Sequence, residues 1–144
     1  MALKHPVYGE VCKNIVGDIY ERKLETYGSI LVAVEILGSL MEIDADMAVG
    51  AVKAFLSLPV KIIPIDESTI QSAATIALET GASYDAVHAS AMARTGISTV
   101  ITEDLGHWKM IQSNWSRVRN KISTTLGEIE IVRPKEYVEW EGRG

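Results

Sequence analysis

The sequence predicts an α/β fold, a parallel sheet flanked by helices, on three observations. Apolar segments of strand length, at residues 60–65, 98–102 and 128–132, alternate with helix-length segments of roughly 10 to 15 residues. The helix-length segments repeat their apolar residues at helical spacing, and glycine or proline stands at most joins. The chain has 144 residues, 47% hydrophobic and 23% charged, which is enough to build a core and too apolar for a disordered chain. A single domain over residues 1–144 is expected.

Pro6 suits the first turn of a helix. Behind it Val7, Val11, Ile15 and Ile19, with Tyr8, Cys12, Val16 and Tyr20 beside them, make a two-column helical stripe. Cys12 on that stripe reads as a small buried residue. Residues 26–30 are short and β-prone, and Ser29 is placed to cap a helix through Val32, Leu37 and Leu40. Asp44 or Asp46 opens the next helix, with Met47, Val52, Phe55 and Leu56 facing inward and Pro59 beyond its end. Residues 60–65 read as a strand that Pro64 pushes toward an edge or a strand end. Asp66 or Ser68 caps a helix through Ile70, Ala73 and Ile76 that Gly81 stops. Ser83 or Asp85 caps another over residues 86–95, stopped by Gly96. Residues 98–102 form a buried-type strand, and residues 128–132 a last strand before Pro134 and a short turn. Sheets of this class usually open with an apolar strand, whereas this chain opens in a helix.

Several classes are excluded. The one cysteine, Cys12, rules out an internal disulfide framework and a multi-cysteine zinc site. The mean hydropathy of +0.12 raises the question of a membrane span. The longest apolar stretch, residues 30–41, is broken by Glu35, Gly38 and Ser39 and is too short to cross. The opening Met-Ala-Leu-Lys-His-Pro has no apolar region of a secretory signal, so a cytoplasmic protein is expected. A net charge of −5 argues against coating duplex nucleic acid by charge. There is no glycine-rich dinucleotide fingerprint, phosphate loop or Gly-x-Ser-x-Gly elbow. His5, His88 and His107 are too scattered for a zinc motif.

Acids in apolar surroundings stand out instead. Glu35 is the only ionisable group in its twelve-residue stretch, so its carboxylate either reaches solvent from the helix edge or is kept for a purpose. Asp85 begins a helix and reads as a cap or as a functional acid. Asp104 follows the strand at 98–102, either as a loop residue or at the carboxyl end of a parallel strand, where such sheets place ligands. Carboxylates converging within about 4 Å repel by roughly 4 kcal/mol per pair at an effective dielectric of 20. Such a cluster persists with a raised pKa or a bound cation. All-oxygen ligation suits Mg²⁺ or Mn²⁺, which grip phosphates and activate water for phosphodiester hydrolysis.

Residues 83–108, Ser-Tyr-Asp-Ala-Val-His-Ala-Ser-Ala-Met-Ala-Arg-Thr-Gly-Ile-Ser-Thr-Val-Ile-Thr-Glu-Asp-Leu-Gly-His-Trp, resemble the core signature of PIN domains. These are metal-dependent ribonucleases that include the VapC-type toxins of prokaryotic toxin–antitoxin pairs. Residues 29–38, Ser-Ile-Leu-Val-Ala-Val-Glu-Ile-Leu-Gly, are similar to the family's second motif. Residues 60–66 and 129–137 match its weaker connecting pattern. The resemblance implies a three-layer α/β/α fold with Glu35, Asp85 and Asp104 in one pocket holding Mg²⁺ or Mn²⁺. It implies that Thr102 is a hydroxyl positioning a water or a carboxylate, and that Glu103 points away or serves as a fourth acid. Single-stranded RNA as substrate, an antitoxin protein as partner and a homodimer follow from the same likeness.

One family motif has no counterpart: an aspartate ending an opening strand. The expectation is therefore a PIN-like domain that starts one strand late, with Asp18 the nearest replacement acid. That departure supports a rival reading, a non-catalytic RNA-binding or interaction module. A flavodoxin-like or phosphatase-like domain ranks last for want of a nucleophile motif. His88, three residues after Asp85, reads as packing or as a partner to the acids. Trp108 reads as packing or as a base-stacking platform. Arg117, Arg119 and Lys121 read as a solvated helix face or as phosphate contacts.

Overall fold

The computed structural model describes residues 14, 15, 17–23 and 25–137. The chain divides into two compact units, residues 1–64 and 65–144. Val7, Val11 and Cys12 of the expected first stripe lie outside the described residues, as does the expected absence of an opening strand.

In the first unit, residues 14, 15 and 17–20 are helical (α1), with Ile19 buried and Tyr20 exposed. β1 (Tyr27–Ser29) leads directly into α2 (Ile30–Met41), with Ser29 as N-cap in extended conformation. α3 (Ala45–Ser57) opens at Asp44, whose carboxylate accepts the Met47 N–H at 3.0 Å. β2 (Lys61–Ile63) pairs parallel with β1, Gly28 opposite Ile62. A Cβ at Gly28 would stand 2.9 Å from Phe55 Cζ, so glycine lets the α3 ring lie against β1. The expectation that Met47 and Leu56 face inward is corrected: both are about half exposed, and Ala48 is the buried residue of α3. α3 is apolar on more than one face, so periodicity did not select the buried one.

In the second unit, Asp66 caps α4 (Glu67–Thr80), accepting both the N–H and the hydroxyl of Thr69 at 2.8 Å. These bonds, the N–H first, hold the Asp66 carboxyl below the usual range. Gly81 ends α4 at φ +78°, and Gly96 ends α5 (Tyr84–Thr95) at φ +76°, both left-handed positions that favour glycine. β3 (Thr99–Ile101) pairs parallel with β4 (Glu130–Val132), Val100 opposite Ile131. The parallel pairing is as expected; among the described residues it forms two two-stranded sheets, one in each unit.

Between β3 and β4 run α6 (Leu105–Ser113) and α7 (Trp115–Lys121), two helices the sequence reading left unassigned. They supply Trp108, Ile111, Trp115 and Val118 to a core that also holds Ile76, Ala86, Ala89, Met92 and Ile129. The Trp115 indole N–H donates to the Leu126 carbonyl at 2.9 Å, meeting the requirement of a buried donor. A 3-10 turn (Pro134–Glu136) follows β4. No helix among the described residues is long and apolar enough to cross a membrane.

Candidate functional site

Two helices of the second unit place three chemistry-bearing side chains together. Asp85 lies in the first turn of α5, one residue inside that helix, and Ser83 occupies the N-cap position. Asp85 is therefore not the cap that the residue type alone suggests. A carboxylate in a first helical turn is still favoured by the helix dipole. Its side chain is 18% exposed. Asp104 stands at the N-cap of α6, three residues beyond the end of β3, and its side chain makes no capping hydrogen bond. That carboxylate lies over the first turn, with Oδ1 3.7 Å from where a Cβ at Gly106 would be. His107 sits in the same turn, about half exposed, with Nδ1 3.6 Å from Asp85 Oδ2.

One ligand atom from each of Asp85, Asp104 and His107 lies within 4.8 Å of the others. Carboxylates no farther apart than that repel by about 3.5 kcal/mol or more at an effective dielectric of 20, and water around the exposed Asp104 reduces this. Two ligands of one octahedral ion, each at about 2.1 Å, stand about 3.0 Å apart when adjacent and about 4.2 Å when opposite. The donor set therefore fits a small divalent cation after slight side-chain rotation. It is open to solvent, as an ion that keeps several waters requires.

Thr102 continues the β3–β4 ladder, its N–H donating to the Val132 carbonyl at 3.0 Å. Its hydroxyl accepts the Asp104 N–H at 3.1 Å. The hydroxyl thus holds the turn from which the Asp104 carboxylate projects. Glu103 is exposed and outside the cluster. His88, on α5, is half-buried and also outside it.

Glu35 belongs to the first unit, midway along α2, and is half-buried between exposed Val34 and half-buried Ile36. Asp18 is also in that unit, on α1. Trp108 is 2% exposed within the second unit's core, which corrects the base-stacking alternative in favour of packing. The basic stretch is neither a free cationic patch nor a fully solvated face. Lys121 and Arg117 both pair with Glu79 of α4, the latter at 2.9 Å, and Arg119 Nε is buried without a hydrogen-bond partner. Lys121 first, then Arg117, holds the Glu79 carboxyl below the usual range.

His107 is the member of the cluster that the sequence reading names among three scattered histidines and not among the ligands. Its signal was the spacing Asp104–x–x–His107, which puts the imidazole in the turn that Asp104 starts.

No curated protein and no solved structure matches the chain. The PIN domain family model matches residues 5–110, which include Glu35, Asp85, Thr102 and Asp104. The mixed α/β elements and short parallel strands are consistent with the PIN-like α/β/α fold, a nuclease-type fold whose members typically bind a divalent metal. The chain therefore belongs to the PIN domain family.

Proposed function

We propose that this protein is a metal-dependent ribonuclease, a VapC-like toxin of a toxin–antitoxin pair, that hydrolyses phosphodiester bonds in single-stranded RNA. The observation that carries this reading is the convergence of Asp85 and Asp104 at the carboxyl end of parallel strand β3, in a chain of the PIN family. Asp85 and Asp104 would hold Mg²⁺ or Mn²⁺, and Glu35, in the first unit, carries the further acid that the family's second motif implies. When bound, the ion activates water and neutralises charge on the scissile phosphate.

This chain's own residues orient the site. Thr102 fixes the Asp104 turn through the Asp104 N–H. The first turn of α5 presents Asp85 to the cluster. The family likeness also supports a cytoplasmic homodimer held in check by an antitoxin protein.

Chelation and metal return test the proposal. A chain stripped with EDTA is expected to leave single-stranded RNA intact, and Mn²⁺ in excess is expected to restore cleavage. Intact RNA in Mn²⁺, alongside measurable RNA or protein affinity, would instead assign a non-catalytic module.

A further inference from the structure

We infer that His107 is itself a ligand of the divalent ion, and that its imidazole makes the site select Mn²⁺ over Mg²⁺. The inference rests on the metal reading of Asp85 and Asp104 above and deepens it by choosing the ion. The imidazole lies outside the set of acids that the family motifs supply.

The geometry admits a shared ligand. His107 Nδ1 and Asp85 Oδ2 are 3.6 Å apart, too far for a hydrogen bond. That distance falls between the roughly 3.0 and 4.2 Å expected of adjacent and opposite ligands on one octahedral ion. Asp104 completes the group within the same 4.8 Å. His107 and Asp104 share the first turn of α6, so a single rigid element presents both donors.

Donor chemistry then decides the ion. Mg²⁺ is a hard ion that favours carboxylate and water oxygen and holds nitrogen weakly. Imidazole suits first-row transition ions, and of Mn²⁺ and Mg²⁺ it is Mn²⁺ that accepts it within a carboxylate-rich octahedral set. Two carboxylates and one imidazole therefore discriminate in favour of Mn²⁺, where an all-oxygen set would not.

Pulsed electron paramagnetic resonance of the Mn²⁺-loaded protein, read for nitrogen-14 coupling, tests the ligand directly and needs no activity. Mn²⁺–Mg²⁺ competition binding gives the selectivity. The expected result is nitrogen coupling in the wild type that persists in His88→Ala and disappears in His107→Ala. His107→Ala should also weaken Mn²⁺ by at least about tenfold more than Mg²⁺. His107→Asp, with an all-oxygen set, should narrow the preference while keeping the ion. Mn²⁺ bound without nitrogen coupling, or coupling that survives His107→Ala, overturns the inference and leaves the metal reading standing. No Mn²⁺ binding by the wild type overturns both.

Discussion

Asp104 occupies a helix-capping position without capping, and that separates its contribution to stability from its contribution to function. A capping aspartate costs about 1 kcal/mol when removed. Asp104→Asn, which breaks no cap bond, should leave the unfolding free energy within about 0.5 kcal/mol of wild type or raise it, since like charge is removed beside Asp85. The same variant should lose divalent-ion binding, measured by calorimetry beside a thermal melt. Thr102 acts one step back. Thr102→Val should cut RNA cleavage by moving the Asp104 turn, and Thr102→Ser, which keeps the acceptor oxygen, should restore it. At this scale the acids were legible because aspartate at a helix start and at a strand end is placed by local chemistry. The approach of His107 to Asp85 joins residues 22 positions apart in two helices, and no local pattern reports it.

Elements were legible where termini carry their own signals. Asp44, Asp66, Gly81 and Gly96 start or stop helices as their residue types dictate. Gly81→Ala and Gly96→Ala force a Cβ into left-handed backbone and should each cost about 1–2 kcal/mol in denaturant melts, although no neighbour lies within 4 Å of either Cβ. α6 and α7 escaped for the opposite reason. Their join at Asn114 carries neither glycine nor proline, and their apolar spacing, Trp108, Ile111, Trp115 and Val118, runs across it. Trp108 belongs to that stripe, so Trp108→Ala should destabilise the protein by about 3–5 kcal/mol, a cavity effect visible by melting with no RNA present. Three-residue strands show too little alternation to be bounded from sequence, which is why 98–102 and 128–132 were read longer than β3 and β4.

Across the whole molecule, net charge reveals little, because individual acids serve different ends. Glu79 ties α4 to α7 through Lys121 and Arg117, and its folded pKa lies below the unfolded one. Its stabilisation is therefore fully present above the unfolded value of about 4.3 and is lost as the pH falls through the lower folded value. Melting curves should show Glu79→Gln less stable than wild type at pH 7, with the gap closing on acidification below about pH 4. Asp85 and Asp104 lie together in the donor cluster, and the family match extends through both. The proposed function turns on that pair. Its most direct test is single-turnover cleavage of an end-labelled single-stranded RNA in Mn²⁺ by wild type, Asp85→Asn and Asp104→Asn, each first shown to be folded. The account predicts cleavage by the wild type and its loss, by at least about a hundredfold, in both variants. Cleavage that persists unchanged in either folded variant would contradict it.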